Sequence, residues 1–563
     1  MSRSPRLAAA FALVVVLSGG CAAPGAPRAD APVAPARAAI AVPAIVHPRE
    51  ETAAWWFRAG AAAAQARGAD RARARNLVLF VGDGMSLTTV AAARIFEGQR
   101  RGQPGEENAL SFERFGHTAL GKTYNTDSQT PDSAGTMTAM ITGTKTGIGM
   151  LGVGPSRREP CGVPVASLLE LAEGAGLATG VVSTTRLTHA TPGGTFGHTP
   201  DRGAEADVHL STEARAAGCH DLARQFVEFA VGDGIDVAFG GGRRMFQPAG
   251  TPDPEYPAAM GRRGDGRDLV AEWQARHPDG RYVWNARDFA ALDLARPGPV
   301  FGLFEPDHMR FEHDRANDAA GEPSLAEMTR AALALLQRDA DGFVLMVEGG
   351  RIDHAHHYGN AYRALDETVA LAEAVRVAAE LTSEDDTLIL VTADHAHTLT
   401  FAGYPQRGNP ILGKVVGLAS EGGGSGAVED ALGLPYTTLG YANGTGYAGA
   451  SDLQPAGPKR FPHEPARFKA ATGRPDLRGV DTTHPDYLQE VAIPLGDETH
   501  GGEDVGIWAR GPGSDAVRGT VEQNVVFHFL LQASPRLRAY ACGLAACEHG
   551  VPVAPLDPAR LRP

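Results

Sequence analysis

The chain has 563 residues, 43% hydrophobic and 21% charged, a globular composition long enough to bury a large core and incompatible with disorder throughout. Its 52 Lys and Arg against 66 Asp and Glu give a formal net charge of -14, so no global positive field exists to attract nucleic acid or an anionic membrane. A phosphate ester could still be taken where metal ions or local arginines reverse the potential.

Residues 1–6 carry positive charge, residues 7–17 are apolar, and Ser18, Gly19, Gly20 and Cys21 follow, the pattern of a secretory signal. The apolar run is too short to span a bilayer, and no later stretch approaches about 18 apolar residues. Two endings are open: cleavage near Ala23, giving a soluble periplasmic or secreted protein, or lipidation of Cys21, the one membrane attachment the sequence offers. The expected organisation is therefore a signal peptide at 1–23 and an Ala/Pro-rich tether at 24–46. An arm at 47–72 follows, in which Trp55, Trp56 and Phe57 lead an Ala-rich helical stretch that packs on its own subunit or on a partner.

From there short apolar runs at 77–81, 179–182, 235–239, 343–347, 387–391 and 505–509 read as buried parallel strands. Amphipathic stretches at 165–175, 221–231, 325–336 and 361–381 read as the crossover helices between them. The fold class is α/β, a three-layer sandwich with a large, mostly parallel central sheet flanked by helices. Residues 401–494 are rich in Gly, Pro and turn formers and read as an insertion or subdomain. Five cysteines suit an oxidising compartment. With Cys21 set aside, three pairings are open, and Cys161 with Cys219 plus Cys542 with Cys547 conflict least.

Three of the strands end alike, in a carboxylate directly after the apolar run: Asp83 in VGDG, Glu348 in VEGG, and Asp394 with His395 in TADH. Ligands of open α/β sheets bind beyond the carboxyl ends of the strands, so these side chains share one crevice. Unpaired carboxylates there repel one another, and divalent cations offset that repulsion; Asp/Glu with His suits zinc, and an all-oxygen set suits magnesium. On a helix after Glu348, Asp353 and His357 stand four residues apart on one face. His354 and His356 then point elsewhere, as outer or surface residues. A third ligand must come from afar, with His500 in ETHGGED the best candidate. Ser133, in TPDSAGT before a small-residue helical run, would lie at a helix amino terminus, where main-chain N–H groups favour an anion. A lone serine after Asp132 is more often a cap; the surrounding metal ligands make it a nucleophile candidate that needs no histidine base.

In their order FVGDGM, PDSAGT, HATPGG, VEGGRIDHAHH, VTADHAH and DETHGGED, these motifs resemble the alkaline phosphatases, closer to the animal type than to the enteric bacterial type, over residues 47–550. The resemblance implies one zinc ion held by Asp353, His357 and His500, and a second by Asp83, Asp394 and His395 beside Ser133. It implies magnesium between Asp83, Thr191 and Glu348, and Arg202 as the phosphate-binding guanidinium. His189, two residues before Thr191, is the animal-type residue at a position where the enteric type has aspartate, and weakens magnesium binding. A calcium ion is expected at Glu255, the Phe304 carbonyl, Glu305 and Glu322, the last being Asp in the animal pattern. Both disulfides match animal-type positions, residues 401–494 correspond to a crown-like insertion, residues 551–563 form a tail, and a homodimer is implied. The implied activity is hydrolysis of a broad range of small phosphate monoesters through a phosphoserine. Competing readings are a phosphodiesterase, sulfatase or phosphomutase on the same scaffold, or a non-catalytic surface-binding relative. The pairing of Ser133 with Arg202 favours monoesters, the sulfatase motif is absent, and no ligand is missing.

Overall fold

The computed structural model describes residues 39–44, 51–418 and 426–561; the signal segment, Cys21 and most of the tether lie outside the described residues. Eight strands come first: β1 (Asn76–Gly82), β2 (His117–Lys122), β3 (Ala178–Arg186), β4 (Val237–Gly241), β5 (Arg281–Val283), β6 (Val300–Leu303), β7 (Phe343–Gly349) and β8 (Thr387–Ala393). Then come the short β9 (Ala396–His397), β10 (Leu399–Phe401), β11 (Leu439–Gly444), β12 (Val491–Pro494) and β13 (His500–Gly501), next β14 (Val505–Arg510) and β15 (Gly519–Glu522), and finally the two-residue β16 (Cys547–Glu548) and β17 (Val551–Pro552).

Ten of these form one sheet in the order β15-β2-β14-β8-β1-β7-β3-β4-β6-β5. β1, β7 and β8 are buried at every residue, which is why they read as unbroken apolar runs: helices cover both faces. Val78 and Phe80 of β1 pack with the helices Leu325–Leu336 and Ala361–Leu381, while Leu77, Leu79 and Val81 pack with Ser133–Thr142, Leu168–Gly174 and Val525–Ala533. The period-two alternation of a strand thus feeds two separate cores.

One strand departs from the sequence expectation. β14, read as parallel, is antiparallel to both β8 and β2, whereas every other neighbouring pair in this sheet is parallel. The cause is the short link before it. β13 lies beyond the carboxyl ends of the parallel strands, and only residues 502–504 separate it from β14. A parallel return needs a crossover of a dozen or more residues, so the chain runs straight back down. Strands β10, β11 and β12 make a separate three-stranded sheet that the 401–494 stretch contributes to. Of the open cysteine pairings the structure forms Cys161–Cys219 and Cys542–Cys547.

The arm forms the helix Ala53–Arg67, capped by the Thr52 side chain, which accepts from Trp55 N. It lies on the helix Val525–Ala533, where Phe57 meets His528 with ring centroids 4.6 Å apart. His528 is wholly buried, neither ring nitrogen makes a hydrogen bond of ordinary geometry, and burial pushes its pKa down to about 3. An unfolded histidine titrates near 6.5, so between about pH 3 and 6.5 only the unfolded chain binds this proton, and stability falls as pH drops through that window. Denaturant unfolding of His528→Gln between pH 6.5 and 4 is expected to show a shallower loss, by up to about 1.4 kcal/mol per pH unit. A slope equal to that of the parent would exclude His528 as a contributor.

Candidate metal-dependent active site

Register fixes the heights of the first three carboxylates. Val81 of β1 pairs with Glu348 of β7, and Gly82 with Ala393 of β8, so Asp83, Glu348 and Asp394 emerge side by side at the carboxyl edge of three adjacent strands. Ser133 is the first residue of the helix Ser133–Thr142, whose cap is Asp132, accepting from Gly135 N at 3.1 Å. The serine Oγ stands 3.1 Å from His395 Nε2 and 3.4 Å from Asp83 Oδ1. His395 Nε2 is in turn 3.4 Å from both Asp83 Oδ1 and Asp394 Oδ2.

The second group assembles beside it. The helix Arg351–His357 carries Asp353 and His357 on one face, with His357 Nε2 3.3 Å from Asp353 Oδ1. His500 arrives because β13 pairs antiparallel with β9, which sets its Nε2 3.4 Å from Asp353 Oδ1 and 3.2 Å from His357 Nε2. The His395 and His500 rings stack at 3.7 Å, joining the two groups. Each of the three imidazoles can spend its Nδ1 proton on a main-chain carbonyl: His357 on Glu498 at 2.5 Å, His500 on Pro131 at 2.8 Å and His395 on Ala396 at 3.3 Å. That tautomer leaves every Nε2 lone pair facing the crevice, the arrangement metal-ligating histidines use.

The electrostatics fit cations. Burial, then the charges of Asp394, Asp353 and Glu348, push the Asp83 pKa well up; burial likewise raises Asp394 and lifts Glu348 to about 7. Burial opposes ionisation of Asp353 too, but His357, His397 and His500 outweigh it and hold that carboxyl well below the usual range. Asp83 Oδ2, Thr191 Oγ1 and Glu348 Oε1 are buried and make no hydrogen bond of ordinary geometry, orphaned oxygens of the kind a hard cation satisfies. Asp83, Glu348 and His189 form one potential metal-holding group, and Asp83, Asp394 and His395 another.

Arg202 lies at the rim, its Nη1 donating to Asp132 Oδ2 at 3.2 Å and its Nη2 to His189 Nε2 at 3.1 Å. These two contacts use two of the five guanidinium N–H donors, and the others remain for a ligand. Away from the crevice, Glu255, Glu305 and Glu322 share one patch: Glu255 pairs with Arg243 at 3.1 Å, and Arg310 spans Glu305 and Glu322 at 2.9 Å. Burial, with charge repulsion behind it, raises Glu305 to about 8 and Glu322 to about 9. Phe304 precedes Glu305 at the end of β6, and Asp318, which the sequence did not single out, adds another carboxylate with a buried, unbonded Oδ2.

Two more residues escaped sequence reasoning. His397 is buried between the groups, its Nε2 2.8 Å from Asp353 Oδ1 and its Nδ1 2.5 Å from Glu498 Oε2; Glu498 also accepts from Thr398 N at 2.6 Å. The signal was the second histidine of Ala-Asp-His-Ala-His, which β9 turns inward opposite His500. His356, expected as an outer or surface residue, is fully buried and bonds Tyr441 Oη at 2.7 Å and Thr89 Oγ1 at 3.0 Å.

Such a crevice places the chain among the enzymes that work through bound cations. The family model described as "Alkaline phosphatase" matches residues 74–535, and the chain belongs to the alkaline phosphatase family. It is a phosphoric monoester hydrolase of the type closer to the animal enzymes. It is 43% identical over 473 residues to the tissue-nonspecific isozyme of Gallus gallus, covering 82% of this chain and 84% of that one. It is 41% identical over 473 residues to an alkaline phosphatase of Gadus morhua, covering 82% and 92%. Among solved structures, the Thermus thermophilus alkaline phosphatase aligns with a TM-score of 0.57 at 26% identity, over 84% of this chain and 93% of that one.

Proposed function

We propose that the chain hydrolyses small phosphate monoesters through a phosphoserine on Ser133, with two zinc ions and one magnesium ion. Asp353, His357 and His500 would hold one zinc, Asp83, Asp394 and His395 the other, and Asp83, Thr191 and Glu348 the magnesium. When bound, these ions supply charge stabilisation for phosphate and for the attacking and leaving oxygens. The observation that carries the reading is Ser133 Oγ at a helix start, 3.1 Å from His395 and 3.4 Å from Asp83, beside a second carboxylate–imidazole group. Arg202, steadied by Asp132 and His189, binds two phosphate oxygens through its fork and stabilises charge on the equatorial oxygens. Ser133 Oγ attacks phosphorus, and the bond to the leaving alcohol breaks. The helix N-terminus favours the negative charge that develops at Ser133. Water then attacks the phosphoserine from the opposite side, releasing inorganic phosphate and restoring the hydroxyl. Only the phosphoryl group is gripped, so specificity for the alcohol is broad.

The same reading includes calcium at Glu255, Phe304, Glu305 and Glu322, export through a signal peptide at 1–23, a crown-like insertion at 401–494 and a homodimer. Among the described residues no helix is long and apolar enough to cross a membrane, and lipid at Cys21 would be the membrane attachment. Elemental analysis joined to an aryl phosphate assay tests the central claim: two zinc and one magnesium per chain, activity abolished by a chelator and restored by zinc. Activity indifferent to chelators would overturn it.

A further inference from the structure

Beyond the carboxylate–imidazole groups, three histidines from separate elements meet on the crevice wall. His189 precedes the helix Ala190–Gly193, His308 follows β6, and His354 rides on the helix Arg351–His357. Their ring centroids are 5.1 Å apart for His189–His308, 5.4 Å for His189–His354 and 4.2 Å for His308–His354. One nitrogen of each lies within 4.8 Å of the others. His189 Nδ1 and His354 Nδ1 are buried and make no hydrogen bond; an orphaned nitrogen in that position costs free energy that a ligand would recover.

We propose that His189, His308 and His354 form a further cation site that takes a borderline transition metal ion, nickel(II) or copper(II) above zinc(II), through three imidazole nitrogens. The site shares His189 with the group that Asp83 and Glu348 form, whereas His308 and His354 belong to none of the zinc, magnesium and calcium sets. Imidazole is the ligand of these ions, whereas magnesium and calcium demand oxygen. Nickel(II) and copper(II) favour tetragonal geometry, in which neighbouring nitrogens about 2.0–2.1 Å from the ion stand about 2.9 Å apart, so the rings must close by on the order of 1–2 Å.

The neighbouring charges choose among ions. Arg186 Nη1 lies 2.6 Å from His308 Nε2 and Arg186 N 3.2 Å from His308 Nδ1, of which the neutral ring accepts only one, while Arg202 Nη2 donates to His189 Nε2 at 3.1 Å. A neutral imidazole has one lone pair, so an ion replaces these bonds on the nitrogens it takes. The guanidiniums keep their carboxylates: Arg186 retains Glu205 at 2.6 Å and Asp307 at 2.5 Å, and Arg202 retains Asp132 at 3.2 Å. Only an ion with strong affinity for nitrogen displaces such donors, and that affinity peaks at copper(II).

The test titrates the untagged, zinc- and magnesium-loaded enzyme with nickel(II) or copper(II) and counts all metals by elemental analysis after gel filtration. The expected result is one added ion per chain with zinc retained, with copper(II) showing electron paramagnetic resonance splitting from three nitrogens. His308→Ala, with His308→Gln as the alternative should the alanine variant fold poorly, is expected to lose that ion and keep parental phosphatase activity. No added ion in the parent, or equal uptake by an active His308 variant, would overturn the site.

Discussion

Replacing Ser133 with alanine is expected to lower aryl phosphate hydrolysis at least about 1000-fold while bound zinc and magnesium stay at parental levels. The expectation rests on position. Ser133 Oγ touches His395 Nε2 and Asp83 Oδ1, yet the helix it opens is capped by Asp132, whose carboxylate also accepts from Gly149 N at 3.0 Å and from Asn125 Nδ2 at 3.1 Å. Deleting the hydroxyl therefore leaves the cap, the helix and the imidazoles in place. Ser133→Ala removes the atom that forms the phosphoryl bond without removing a predicted protein ligand, and so separates nucleophile from scaffold. Rapid-quench labelling with a phosphorus-labelled substrate at acid pH gives the second readout: a phosphoprotein in the parent, none in the variant. A variant that keeps its rate, or that still labels, places the nucleophile elsewhere.

The parts of this site that could be read in the sequence share a physical cause. Asp83, Glu348 and Asp394 were legible because strands buried on both faces are continuous apolar runs, so a carboxylate at the end of one stands out. Asp353 and His357 were legible because helical spacing places four-apart residues on one face. His500 is different: nothing local distinguishes it, and its arrival depends on β13 pairing with β9, a non-local contact. The ordered motifs supplied it through family likeness. His397 was missed although it closes the motif VTADHAH, because the likeness gave it no role and its partner Glu498 lies 101 residues away. In the fold, β2, β5, β6 and β15 went unread. β15 and β5 are four and three residues long at the two edges of the sheet, and β2 alternates between exposed and buried positions, so none of these three offers a continuous apolar run; β6 is buried throughout but is only four residues long and is interrupted by Gly302. The direction of β14 was misread because composition reports burial and says nothing of the link that feeds a strand.

Gly84→Ala is expected to cut activity at limiting zinc by about 10- to 100-fold and to raise the zinc concentration needed for half-maximal activity similarly. Gly84 follows Asp83 with φ at +70°, and an added Cβ would stand 2.4 Å from His397 Cδ2 and 2.5 Å from its Nε2. The left-handed backbone alone costs an alanine about 1 kcal/mol, a minor part of the effect. The greater part is the imidazole, which cannot stay 2.8 Å from Asp353 Oδ1 with a methyl group against its ring. Asp353 then loses the donor that orients it towards His357 and His500. Gly84 N also donates to Asp394 Oδ1 at 2.9 Å, so any backbone shift that relieves the clash disturbs the neighbouring group as well. His397→Ala supplies the control, because it removes the ring without straining the backbone. If His397 is the route, Gly84→Ala adds little to the zinc requirement of His397→Ala, and the double-mutant cycle shows strong coupling. Additive effects would assign the loss to the displaced backbone, and a Gly84→Ala enzyme with parental zinc dependence would mean that His397 does not position Asp353.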